Sequence, residues 1–363
     1  MKKFSMLMTL LLAVALLAGC AGTPVIYYTD CTCPTGSHEV AETPMEPTPV
    51  PSQAPAVEGA LKTGLCISTG ISDSKSATAE ENGEGKYDVT MVAVLVDDNG
   101  VIRDCMIDGI AASVTFDAAG AITSDLTAAP QTKNELGENY GMVAWGGAIA
   151  EWDEQAAALA KFAVGKTVEE LKSGAIDETG KAPAGSDLAS SATIYLGGYV
   201  SAIEMAAANA QHLGAQTGDT LKMAVITGID SSASASAEAA GNAQLDVNVT
   251  ALTMNGDTIT SCVIDAVQAK VAFDTTGTIT SALDAVKTKN ELGADYGMVA
   301  WGGAIAEWNQ QAASFASYVT GKTVEEVMGI AVDQGTKPTD ADLTASVTIA
   351  IGGFQALIQK AAQ

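Results

Sequence analysis

The chain has 363 residues, 47% of them hydrophobic, with 43 acidic against 18 basic side chains and a formal net charge of −25. Such acidity leaves no basic patch to neutralise phosphates, which excludes nucleic acid as a partner and disfavours charge-driven docking on anionic lipid. Histidine occurs only at His38 and His212, which removes His-based triads and His-ligated metal sites from consideration.

The chain opens with Lys2-Lys3, an apolar run from Met6 to Leu17, and then Leu17-Ala18-Gly19-Cys20. A basic start, a short apolar core and small residues before a cysteine have the anatomy of a secretory signal. The run falls short of the roughly 20 residues that a membrane span needs. Its ending resembles a bacterial lipobox. That resemblance implies a signal peptide over residues 1–19, a lipidated Cys20 at the mature N-terminus, and anchorage to the extracytoplasmic face of the cell membrane. Residues 20–60 then carry Pro24, Pro34, Pro44, Pro47, Pro49, Pro51 and Pro55 with little periodic apolar sequence. Such a stretch cannot bury enough surface to order itself, and reads as an extended tether reaching up to roughly 100 Å at about 3.1 Å per residue. Cys31 and Cys33 lie in it. A lone Cys-x-Cys without further ligands reads as an incidental disulfide or as solvated thiols rather than a metal site.

Beyond the tether the sequence repeats itself. Thr132–Trp152 and Thr288–Trp308 are identical except at Glu138/Ala294 and Asn139/Asp295. Cys105 and Cys262, Phe116 and Phe273, and Gly165-Lys166 and Gly321-Lys322 recur at nearly the same offset. A period this long gives each copy enough chain for its own core. Two tandem α+β domains are therefore expected, 61–211 and 220–363, each an antiparallel sheet with packed helices.

In the first copy Tyr87–Val96 and Val101–Ile107 are β-rich runs joined by the turn Asp97-Asp98-Asn99-Gly100, and Ser113–Phe116 with Ala121–Thr123 reads as a second, shorter hairpin. The second copy repeats this as Leu245–Met254, Asp257–Ile264 and Lys270–Phe273. Cys105 and Cys262 fall inside these runs and read as buried structural thiols. Ile149, Trp152, Ala156, Leu159 and Phe162 then lie at helical spacing, as do Ile305, Trp308, Ala312, Phe315 and Tyr318. Gly165 and Gly321 end these helices. Thr167-x-x-Glu170 and Thr323-x-x-Glu326 are capping boxes that start a short second helix. A last helix is expected over about 192–211, and from about 348 to the C-terminus. The repeated glutamates Glu135/Glu291 and Glu151/Glu307 have no recurrent acid–base partner and read as surface residues.

What recurs in place of familiar enzyme chemistry is a glycine-flanked aromatic segment, Gly147-Ala148-Ile149–x–x–Trp152, followed by Phe162–x–x–Gly165-Lys166. Later in the domain a hydroxyl-rich stretch, Asp187-Leu188-Ala189-Ser190-Ser191-Ala192-Thr193, leads toward the last helix. These features resemble the FMN-binding domain of flavin-carrying subunits in bacterial ion-pumping oxidoreductases and extracellular electron-transfer lipoproteins. In that family the signature Asp–x–x–Ser/Thr–Gly–Ala–Ser/Thr carries FMN on its final hydroxyl, through a phosphoester made by a flavin transferase. The resemblance implies Thr193 as acceptor, with Asp187 and Ser190 in the motif. Ser191 stands where the family has glycine. In the second copy Asp342 and Thr348 match, whereas Ala345, Ser346 and Val347 do not. The expected seat for the phosphate is a helix N-terminus, with Tyr140, Trp145 and Trp152 available to stack on the flavin ring. The resemblance thus implies an extracytoplasmic electron carrier that receives electrons from a membrane redox partner. The alternative is a non-catalytic surface lipoprotein whose repeats bind a small molecule, a peptide or a cell-wall component.

Overall fold

In the computed structural model the described residues are 59–363. The expected signal peptide, Cys20, nearly all of the tether, Cys31 and Cys33 lie outside them. The first repeat contains β1 (Lys62–Gly70), β2 (Gly83–Val96) and β3 (Ile102–Phe116), then α1 (Lys133–Leu136), α2 (Met142–Gly146), α3 (Trp152–Ala163), α4 (Val168–Ala175) and α5 (Gly197–Ala208). The second contains β4 (Thr220–Gly228), β5 (Gly241–Asn255), β6 (Thr258–Phe273), α6 (Lys289–Leu292), α7 (Met298–Gly302), α8 (Trp308–Val319), α9 (Val324–Met328), α10 (Ala341–Thr344) and α11 (Gly352–Ala361). Each repeat forms a three-stranded antiparallel meander, β1-β2-β3 or β4-β5-β6. The protein is thus a mixed α/β structure with two antiparallel sheets. Among the described residues no helix is long and apolar enough to cross a membrane.

The central strands explain the layering. Successive strand residues face opposite sides of a sheet, and in β2 both sides are buried. Tyr87, Val89, Met91 and Leu95 enter a core shared with Leu245, Val247, Val249 and Ala251 of the other sheet. Val92, Val94 and Val96 enter a second core with Trp152, Leu159 and Ile203 from the helices. The second repeat builds its own helix-facing core from Leu252, Ile264, Trp308, Phe315 and Leu357. Burial on both faces is why Met91–Val96 reads as an unbroken apolar run instead of an alternating one. The order of layers is helices, sheet, sheet, helices.

The repeats meet through reciprocal contacts. Ala77 N–H donates to Gly277 O at 2.8 Å, and Ala235 N–H donates to Gly120 O at 2.7 Å. Ile279 N–H donates to Ser76 Oγ and Ile122 N–H to Ser234 Oγ, both at 2.9 Å. Phe116 stacks on its counterpart Phe273 with ring centroids 3.9 Å apart. Such i-to-j and j-to-i pairing marks an isologous, pseudo-two-fold interface. Gly120 and Gly277 are required there. Both have positive φ, and a Cβ would stand 2.7 Å from Asp274 O or 2.6 Å from Asp117 O.

Three local expectations change. β3 and β6 are single long strands, where a strand followed by a separate short hairpin was expected. Ile107–Ser113 stays paired with β2 throughout despite Gly109 and two alanines. β1 and β4 add an edge strand to each sheet that the pattern of apolar residues did not mark. The last helices start at Gly197 and Gly352, four to five residues later than expected.

Candidate functional site: two tryptophan knuckles

The repeated block folds into the same rigid knuckle in both copies. Thr132 caps α1 and exchanges capping-box bonds with Glu135, as Thr288 does with Glu291 at α6. After a single 3-10 turn, Gly141 takes φ +80° and Gly147 takes φ +62°, bracketing the five residues of α2. Glu151 clasps that short helix from below. Its Oε2 accepts from Met142 N–H at 2.8 Å and its Oε1 from Val143 N–H at 3.0 Å. Glu307 holds Met298 and Val299 at the same distances. Glu151 and Glu307 are therefore buried clasps, not the surface residues expected. A helix this short leaves most of its first amides unpaired, and a carboxylate with two acceptor oxygens satisfies two at once.

Beneath the knuckle the Lys133 side chain is buried, its ammonium 5.3 Å from the Tyr140 ring centroid and 4.9 Å from that of Trp152. Lys289 sits likewise over Tyr296 and Trp308 at 4.9 and 4.8 Å. Such cation–π contacts stabilise by on the order of 1–2 kcal/mol when desolvated. Gly109 leaves the room, since a Cβ there would lie 3.2 Å from Lys133 Cδ and 3.3 Å from the Trp152 ring. Asp108 ties α1 to the sheet, its Oδ1 accepting from Gly109 and Asn134 N–H groups. Asp265 does the same with Ala266 and Asn290. Burial pushes both carboxyls up, Asp265 to about 6, against the lowering effect of those bonds.

All this buried machinery supports an exposed tip. Trp145 and Trp301 are each 90% exposed, flanked by exposed Val143 and Ile149, or Val299 and Ile305. The indole lies across a glycine: a Cβ on Gly141 would stand 2.2 Å from Trp145 Cδ1, and one on Gly297 2.3 Å from Trp301 Cδ1. The pyrrole edge of each indole is thus held against the glycine, while the ring stands in solvent. Of the three aromatic residues expected to stack on a flavin ring, Trp152 is core, with its Nε1–H donating to Tyr199 Oη at 3.0 Å. Tyr140 is half-buried beneath Lys133. Only Trp145 is presented to solvent.

The other predicted site residues lie in a separate loop. Asp187 precedes a 3-10 turn, Leu188–Ser190, and makes no side-chain cap. Ser190 Oγ donates to Asp187 O at 2.6 Å. Thr193 is exposed, and its N–H and Oγ1 donate to Gln155 Oε1 at 2.8 and 3.3 Å. In the second copy Asp342 lies in α10, whose cap is Asp340. Thr348 donates to Gln311 Oε1 at the same two distances. Neither threonine stands at a helix N-terminus as expected: the buried glutamine takes the amides of Thr193 and Ile194, and of Thr348 and Ile349, ahead of the helices that follow. The Leu196 and Gly197 amides at the start of α5 are taken by Gly180 O, at 2.7 and 3.1 Å. That helix end therefore offers a phosphate fewer amides than the expected seat requires. Gln155 and Gln311 were not singled out in the sequence, though both stand three residues after the repeated Trp-152/308 positions.

Comparison of the chain with protein-family models, with curated proteins and with solved structures finds no match.

Proposed function

We propose that this is a non-catalytic surface lipoprotein, anchored to the extracytoplasmic face through a lipidated Cys20, whose two repeats each present a tryptophan knuckle to a cell-wall component. The observation that carries the reading is the pair of 90% exposed indoles on identically braced loops. An indole left in water gives up most of the free energy that its burial would contribute. Here buried Glu151, Lys133 and Asp108 hold the loop that exposes it, so the contact face is ordered before any ligand arrives. Preorganisation of this kind lowers the ordering cost of binding. A flat, exposed aromatic ring suits the apolar face of a sugar ring, and two copies on one chain give avidity on a polymeric ligand.

The test is sedimentation of the protein with insoluble cell-wall polymer. Trp145→Ala or Trp301→Ala alone should weaken retention more than tenfold through lost avidity, and the double variant should remain in the supernatant. Retention of the double variant at the wild-type level would reject the reading.

A second reading keeps the flavin. Thr193 is exposed, and its Oγ1 is held in place by Gln155, which suits modification by a flavin transferase. The chain would then carry FMN by a phosphoester and pass electrons outward from a membrane redox partner. Coexpression with a flavin transferase followed by intact-mass measurement separates the readings. An FMN adduct lost in Thr193→Ala supports the carrier. No adduct, with the transferase active on a control substrate, leaves the knuckle reading in front.

A further inference from the structure

The two repeats differ most usefully where each faces the other's first short helix. On one side Lys360, the ninth residue of α11, reaches across the pseudo-two-fold, and its Nζ donates to Glu135 Oε1 and to Val225 O. On the other side the ninth residue of α5 is Met205. The counterparts of Glu135 and Val225 there are Glu291, in the repeated block, and Ile67, the sixth residue of its strand as Val225 is of β4. Glu135 Oε2 and Glu291 Oε2 are both used by their capping boxes, accepting from Thr132 and Thr288 N–H at 2.8 Å. Oε1 of Glu135 takes the ammonium. Glu291 has no ion-pair partner among the described residues.

Met205, Glu291 and Ile67 line a cleft of about 880 Å³ between the repeats, with Asp265, Asn290 and Asn209 in its wall. We propose that this cleft binds a linear alkylamine, its protonated amine seated on Glu291 as the Lys360 ammonium is seated on Glu135. Lys360 is in effect a tethered copy of the ligand, a primary ammonium on a four-carbon stem. The cleft holds two carboxylates, Glu291 and Asp265, so a diamine answers it better than a monoamine. His212, which also lines the cleft, is engaged by Asp98 at 2.9 Å. The local field is negative: the buried Cys66 thiol in the same wall is pushed up to about 12 by burial, and then by Glu291 and Asp265. Ile67, Ala313 and the flexible Met205 supply the apolar wall for the stem. A chain of net charge −25 also draws cations toward it.

The test is calorimetric titration of the protein with 1,5-diaminopentane at low salt, against 1-pentanol as the uncharged control. Wild type should bind one equivalent of the diamine and none of the alcohol. Met205→Lys supplies a tethered ammonium and should abolish binding, with far-UV circular dichroism showing the fold retained. Glu291→Gln removes the charge-assisted bond and should weaken binding about 10- to 100-fold. Lys360→Met opens the equivalent position and should raise the stoichiometry from one to two. Absence of saturable binding at millimolar diamine, or unchanged binding in both Met205→Lys and Glu291→Gln, overturns the proposal.

Discussion

Replacing Asp265 by asparagine should stabilise the protein at neutral pH, and the gain should disappear in acid. Asp265 is 8% exposed, and its Oδ1 accepts from Ala266 N–H at 2.7 Å and Asn290 N–H at 3.0 Å. Burial outweighs those bonds and moves the carboxyl from 3.8 to about 6. The folded state therefore holds this proton more tightly than the unfolded chain does. Its contribution is fully present below pH 3.8, falls as pH rises, and is lost once pH passes about 6. A displacement of about 2 pH units corresponds to on the order of 3 kcal/mol. Asparagine retains an Oδ1 to accept both amides, its NH2 group can donate to the Thr288 hydroxyl, and it carries no charge to desolvate. Urea unfolding followed by tryptophan fluorescence at pH 4, 5, 6 and 7.5 measures the difference. Asp265→Asn should exceed wild type by up to about 3 kcal/mol at pH 7.5 and match it near pH 4. A difference that is independent of pH, or a wild type more stable at pH 7.5, would refute the reasoning. Asp108, raised for the same reason, should leave a residual slope of the same sign in the variant.

The three cores make three further predictions. Residues 61–211 produced without the second repeat leave Tyr87, Val89 and Met91 without the facing sheet, so sedimentation should find a homodimer or aggregate; a well-folded monomer would show that the repeat closes its own core. Phe116→Ala should cost about 3–5 kcal/mol, read by chemical denaturation, because Phe116 is fully buried and stacked on Phe273 across the interface; a loss below about 1 kcal/mol would mean that the rings contribute little to holding the repeats together. The thiols of Cys66, Cys105 and Cys262 are all pushed to about 12 by burial. At pH 8 only about one in ten thousand is thiolate, so a disulfide reagent should label Cys105 only on unfolding and Cys66 and Cys262, which line the cleft, slowly; rapid labelling of Cys105 in the native chain would contradict its placement.

Parts of this structure were legible because local chemistry decides them. Thr167 and Glu170, and Thr323 and Glu326, form the reciprocal bonds their spacing implies. Gly165 and Gly321 adopt positive φ one residue past the helix caps. Trp152, Ala156 and Leu159 form the buried stripe of α3. Other parts depend on tertiary pairing. Lys62–Gly70 holds two glycines and three hydroxyl residues among its few apolar ones, and becomes a strand because β2 offers an edge in register. Gly109 and Ala111-Ala112 break the β-rich pattern of the third strand, yet β2 pairs along its whole length; strand preference yields to such context. The terminal helices start late because the buried Gln155 and Gln311 capture the amides of Thr193 and Thr348. Nothing in local sequence tells a tryptophan held in water from one in the core, and Trp145 and Trp152 are distinguished only by the elements around them.

The duplication itself bears on why the two halves share one chain. A homodimer built on this interface would carry identical residues on both sides of its two-fold, and any change in one cleft would appear in the other. A fused pair is free of that constraint. The knuckles have stayed alike, down to the clasping Glu151 and Glu307, the cation–π lysines and the bracing glycines. The facing clefts have not. Lys360 crosses to Glu135 in one, while Met205 leaves Glu291 without an ammonium in the other. The sheet-to-sheet contacts are paired as well, Phe116 with Phe273 and Gly120 with Gly277. Identical tips and unlike clefts are what two equivalent contact points and one specialised cleft on a single chain would produce.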